Sequence, residues 1–207
     1  MPETTLFCGG NCQPTDAARG CADTCGGKCG LCPLARFYTA AAQPLPAIRE
    51  IAAAEMPEPY RRLLVHNRDM TTTLEAFHGV RTHLRLLTSK AEGGVYRREV
   101  VLALVSLETP VEFGAATIQL DLLPPEARQA VIGAQRPLGG VLIGFGVKFI
   151  SRPKAFISIE PDETISRVLE LELCSTTLYG RCNALLDAQD RVLADIVEIL
   201  PPVDAAV

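Results

Sequence analysis

No stretch of this 207-residue chain approaches the roughly 20 consecutive apolar residues that a membrane-spanning helix needs, so no helical span is expected. The first residues, MPETTLFCGG, lack a basic stretch followed by an apolar one and carry no lipidation motif. Neither a secretory signal nor a membrane partner is therefore expected, and the cytoplasm is the expected compartment. Excess positive charge is also missing. A formal charge of −4 and a pI near 5.5 offer no general attraction for nucleic acid, so none is expected as a partner. Histidine is scarce: His66, His78 and His83 are scattered, with no helical spacing to one another or to a carboxylate that suggests a metal site. They read as surface or hydrogen-bonded histidines. What the chain does have is 48% apolar residues, enough for one substantial domain with a small appendage.

The appendage is the first 39 residues. Six of the 8 cysteines fall there, at Cys8, Cys12, Cys21, Cys25, Cys29 and Cys32, among glycines 9, 10, 20, 26, 27 and 30. In a reducing compartment, clustered thiols are metal ligands or redox groups more often than disulfides. Glycines let the backbone wrap an ion and turn its amides toward thiolate sulfur. Packing does not account for the segment, because it has almost no large apolar residues. Four thiolates suit tetrahedral zinc, the leading expectation, while an iron–sulfur cluster or copper stays open. Oxidation of the 8/12 and 21/25 pairs across a helical hairpin is the alternative, and the glycines argue against helices there. The spacing Cys25-x3-Cys29-x2-Cys32 resembles the cluster motif of radical SAM enzymes. Those enzymes set it in a large barrel of repeated βα units, which the strand-rich remainder does not supply.

Prolines and alanines around residues 40–46 mark a boundary, and a main domain is read over residues 45–203. Pro46 suits the first turn of a helix carrying Ile48, Ile51, Ala52 and Met56, and a second short helix is read over residues 60–65. Thr72 and Glu75 have capping-box spacing ahead of Leu74 and Phe77, with Gly79 as the stop. Residues 80–87 alternate as a half-buried strand. After the polar turn TSKAEGG come two apolar strands within residues 96–124, interrupted at 106–110. A helical turn or two follows over 126–134, then the Pro137-Leu138-Gly139-Gly140 turn, whose glycines let backbone amides approach a ligand. Residues 156–160 read as a strand. Residues 164–174 fit strand or helix equally. Residues 178–186 and 192–200 form a C-terminal hairpin around the turn DAQD. Cys174 and Cys182 read as buried thiols.

Two charged residues stand out against the apolar strands. Arg98 enters the first strand of 96–124, and Glu198 interrupts VEILPP. A charge in such a place either reaches solvent or faces a cavity that needs it.

Several short motifs occur in an order that resembles the chorismate pyruvate-lyase family, whose fold is shared by the ligand-binding UTRA domains of bacterial transcription regulators. They are Met70-Thr71 at a helix start, Arg98-Glu99-Val100, Pro137-Leu138-Gly139, Tyr179-Gly180-Arg181 and the closure at Glu198, covering residues 61–202. The resemblance implies an α+β fold with an antiparallel sheet of about six strands, flanking helices, and an aromatic or cyclohexadiene carboxylate held beneath helical flaps. It implies that Arg98 clamps the carboxylate, that Met70 and Leu138, beside Gly139, offer it backbone amides, and that Glu198 serves the far end of the ring. In such lyases the site releases pyruvate from chorismate and leaves 4-hydroxybenzoate. One position departs from the family: Ala116 stands where the lyase presents a second arginine, a charge that Arg181 or Arg81 would have to replace.

Two functions follow as expectations. One is a chorismate lyase-like enzyme with Arg98 and Glu198 as catalytic residues and Met70, Leu138, Gly139 and Arg181 as ligand-binding residues. The other is a non-catalytic small-ligand-binding or metal-responsive protein on the same fold. A head that supplies its metal to a reaction in the same pocket is a third arrangement. No helix-turn-helix precedes the domain in this reading, so a standard UTRA regulator is not expected.

Overall fold

A computed structural model describes residues 30–171 and 176–203. Its centre is a seven-stranded sheet in which every pairing is antiparallel. In chain order the elements are α1 (Cys32–Ala40), β1 (Ala47–Ile51), α2 (Tyr60–Leu64), α3 (Met70–His78), β2 (Thr82–Glu92), β3 (Val95–Leu104), β4 (Pro110–Gln119), α4 (Pro125–Ile132), α5 (Leu138–Gly144), β5 (Ile150–Glu160), α6 (Glu163–Val168), β6 (Leu178–Leu186) and β7 (Val192–Leu200). Single turns of 3₁₀ helix occupy Ala53–Glu55 and Leu120–Leu122. The strand order is β1-β5-β6-β7-β4-β3-β2. The class is α+β and the sheet is wider than the six strands expected. The extra strand is β1, where the sequence suggests a helix. Its five residues pair with Phe156–Glu160 along the edge of the sheet, and edge pairing outweighs the helical preference of AIREIAAAE.

Side chains alternate between the two faces of the strands, and both faces are covered. On one, Phe113, Ala115, Ile157, Ile159, Val197 and Ile199 pack with Leu34 and Tyr38 from α1, with Leu31 just before it and with Ile165 from α6. The Tyr38 hydroxyl donates to Asp162, which also accepts the Ile165 amide and so caps α6. The ambiguous stretch is thus helical from Glu163 to Val168. Cys182 is fully buried on this face, with its Cβ so close that a side chain at Gly30 would meet it at 2.9 Å. Cys174 lies outside the described residues.

The opposite face carries two apolar clusters with a gap between them. Under α4 and α5, Ile118, Leu123, Val131, Val141 and Leu142 form one. Under α2 and α3, Met56, Leu63, Leu64, Leu74 and Leu102 form the other. The N-termini of α3 and α5 meet above the middle of the sheet, over the gap.

Candidate ligand-binding site

Strand periodicity brings a polar row to that gap. Arg98 of β3 lies opposite Ala116 of β4, and Gly114 opposite Glu198 of β7, which in turn lies opposite Arg181 of β6. Positions 112, 114 and 116 share a face, so Glu112 joins the row. A cavity of about 60 Å³ opens there, lined by Arg98, Glu112, Glu198, Asp69, Met70 and Gly139, with Leu138 and Ala116 also on its wall. By the ~10–15 Å³ that one water needs, several waters fit.

Arg98 is only 3% exposed, and its Nε and Nη1 have no hydrogen-bond partner among the described residues. Burial pulls the guanidinium below its ordinary pKa, partly opposed by Tyr96, but a guanidinium keeps its charge. Glu112 is 5% exposed, and its Oε2 likewise has no partner. A Cβ placed on Gly114 would come within 3.2 Å of Glu112 Oε1, so the bare glycine is what lets this carboxyl lean along the strand. Desolvation first, then Glu198 and Asp69, push the Glu112 carboxyl well above the usual carboxylate range, with Arg181 pulling the other way.

Glu198 is differently placed. Its Oε2 accepts from Arg181 Nε in a buried ion pair. Arg181 is fully buried and its other nitrogens donate to the carbonyls of Leu64 (3.3 Å), His66 (2.9 Å) and Arg68 (3.4 Å). One cation thus binds the sheet to the segment that leads into α3. His66 completes the arrangement: its Nε2 lies 2.7 Å from the Leu63 carbonyl and its Nδ1 accepts the Arg68 amide at 3.1 Å. That pattern assigns the proton to Nε2. Burial and then Arg181 hold its pKa low.

The α3 start is set by Asp69, whose carboxylate accepts the amide and hydroxyl of Thr72, both at 2.9 Å. The expected Thr72–Glu75 box is therefore replaced by an aspartate cap one turn earlier. Glu75 instead accepts from the Thr82 amide and hydroxyl. Gly79 ends the helix in the left-handed conformation, as the sequence suggests. Asp69 also abuts α5, because a Cβ at Gly139 would fall 1.9 Å from its Oδ1. The 137–140 segment is the start of a helix rather than a turn alone.

Of the residues singled out in the sequence, Arg98, Glu198, Met70, Leu138 and Gly139 line one cavity. Arg181 stands behind Glu198 and does not line it. Arg81 is exposed and is not on the wall either. The sequence reading passed over Glu112 and Asp69. Cys8, Cys12, Cys21, Cys25 and Cys29 lie outside the described residues, and Cys32 is buried at the start of α1. Among the described residues, no three His, Cys, Asp or Glu side chains are grouped to hold a metal.

No protein-family profile and no curated protein matches the sequence. Solved structures do match in fold. The effector domain of PhnF from Mycobacterium smegmatis superposes with a TM-score of 0.50 at 13% identity, covering 64% of this chain and 87% of that one. PhnF from the same organism gives 0.51 at 11% identity, covering 88% and 84%. A GntR-family transcriptional regulator from Bacillus cereus gives 0.41 at 9% identity, covering 61% and 98%. The fold is the chorismate lyase-like one that such effector domains share.

Proposed function

We propose that this domain binds a small carboxylate reversibly, with Arg98 as its anchor. The observation that carries the reading is the buried guanidinium with two unpartnered nitrogens on the wall of a cavity. A desolvated cation left without a counter-charge costs several kcal/mol, and an arriving carboxylate offsets that cost with a charge-assisted pair of hydrogen bonds. The N-terminal amides of α3, at Met70 and Thr71, add donors on the same side. Likeness to an effector domain supports binding over turnover.

Three features weigh against the lyase reading. With Ala116 at its position, Arg98 is the one cation on the wall among the described residues, whereas chorismate carries two carboxylates. Glu198, the residue assigned to the ether end of the substrate, has its carboxylate engaged by Arg181. The cavity is also smaller than the roughly 150 Å³ known to hold benzene, so a ring compound would require α3 and α5 to part. Thermal-shift titration of the full chain with acetate, benzoate, 4-hydroxybenzoate and chorismate tests the proposal, alongside an assay for pyruvate. Stabilisation by at least one carboxylate, lost in Arg98→Gln, with no pyruvate released, is the expected result. Pyruvate release from chorismate would restore the lyase.

The cysteine-rich segment enters this reading as a soft-metal site, zinc first, with an iron–sulfur cluster or copper as alternatives. Anaerobic purification with metal quantification and an absorbance spectrum distinguishes them.

A further inference from the structure

We infer that the ligand of this cavity is a short zwitterion, whose carboxylate meets Arg98 and whose ammonium group meets Glu112. The inference rests on the proposed role of Arg98 and adds the chemistry of the ligand's other end. Two buried side chains on the cavity wall have polar atoms without partners among the described residues, and they are of opposite character: Arg98 and Glu112. Both are more than nine-tenths buried. They form no ion pair with each other at 4.0 Å or less. A ligand that satisfies only one leaves the other desolvated and unmatched.

The charged groups facing Glu112 come from every element around it. Glu198 of β7 is neutralised by Arg181 of β6, Asp69 stands at the head of α3, Arg98 projects from β3, and His66 lies beyond Arg181. One guanidinium faces Ala116 rather than a second cation, which fits a monoanionic carboxylate better than a dianion. Three carboxyl groups on the same wall, only one of them paired with an arginine, oppose a ligand that brings negative charge alone. A zwitterion adds no net charge. Its ammonium group also resolves the state of Glu112, because a cation beside that carboxyl draws off the proton that burial and its acidic neighbours favour.

The backbone spacing gives the scale of the ligand. Glu112 Oε1 leans over Gly114, and Gly114 is two residues along β4 from Ala116, the partner of Arg98. Two residues of strand span about 6.6 Å. A chain of a few methylenes covers that distance and suits a cavity of about 60 Å³.

The test is calorimetric titration of the full chain with ω-amino acids from β-alanine to 6-aminohexanoate, each against the carboxylate and the alkylamine of matching length. The expected result is one zwitterion binding at least about tenfold more tightly than its matched carboxylate, a difference of about 1.4 kcal/mol. Glu112→Gln, whose fold is checked by thermal unfolding, removes that preference. In the unmodified protein, repetition in buffers of different ionisation enthalpy shows proton release with the zwitterion and not with the carboxylate, so zwitterion affinity rises as pH rises. Equal affinity for zwitterion and carboxylate, or binding of the zwitterion without proton release, overturns the inference and leaves Arg98 as an anion anchor. Amines binding as tightly as zwitterions, or no probe binding at all, overturns both.

Discussion

Glu99 neighbours Arg98 in sequence but points to the other face of the sheet, where it is 7% exposed. Burial raises its pKa from 4.5 to about 7, against the opposing hydrogen bonds from Thr88 and its own backbone amide. Below the ordinary value both folded and unfolded chains hold the proton. As pH rises from 4.5 toward 7 the unfolded chain sheds it first, so this residue lowers stability progressively and its penalty is complete above 7. Glu99→Gln should therefore leave the melting temperature unchanged at pH 4 and raise it at pH 8. A melting series across that range reads the difference directly. Arg181 predicts the opposite behaviour. Arg181→Met strands the Glu198 carboxylate and the carbonyls it served, and removing one partner of a buried pair typically costs about 3–5 kcal/mol. Urea unfolding should show a loss of that order. Arg98 was legible in the sequence because a charge in an apolar strand is conspicuous. The same criterion applies to Glu112 in VEFGAAT, where Val111 and Phe113 point one way and Glu112 and Gly114 the other. It is less conspicuous because Glu108, in the turn just before it, makes the start of the strand read as polar. Arg181 was legible as a residue and not as a role, since nothing local says that its guanidinium turns toward the 64–68 segment.

At the scale of elements, the site depends on how closely α3 and α5 approach. Asp69 caps α3 and sits against Gly139, where any side chain would collide with the carboxylate. Gly139→Ala is expected to destabilise by about 1–3 kcal/mol, as overpacking does, and to weaken carboxylate binding by pushing the helix ends apart. Asp69→Ala alone should cost about 1 kcal/mol through the lost cap. In the double variant the clash disappears, so its loss should be smaller than the sum, a departure that a double-mutant cycle in denaturant measures. Neither helix start was fully legible. The Thr72–Glu75 spacing mimics a capping box, but Glu75 is drawn off by Thr82 at the entry to β2. A contact between elements decided which of two local signals prevailed. The 47–51 segment went the same way, Pro46 and the spacing of Ile48, Ile51 and Ala52 favouring a helix and its place at the sheet edge making a strand.

For the whole molecule, the order of short motifs anticipated the antiparallel sheet, the covering helices and a cavity shared by residues far apart in sequence. Alternation along β3, β4, β6 and β7 is enough to place 98, 116, 198 and 181 on one face once the register is known. Register itself, and the depth of the cavity, depend on packing that no single segment contains. Where the sequence suggests an arginine clamp with a catalytic glutamate, the described residues place a guanidinium and a carboxyl with unpartnered atoms beside a braced ion pair. The most direct measurement is a crystal structure of the full chain soaked with a saturating small carboxylate. The account predicts carboxylate oxygens about 2.7–2.9 Å from the Arg98 guanidinium nitrogens, the distance of a charge-assisted hydrogen bond, with the Arg181–Glu198 pair undisturbed. Arg98 turned onto Glu112, with no anion bound between α3 and α5, would contradict it.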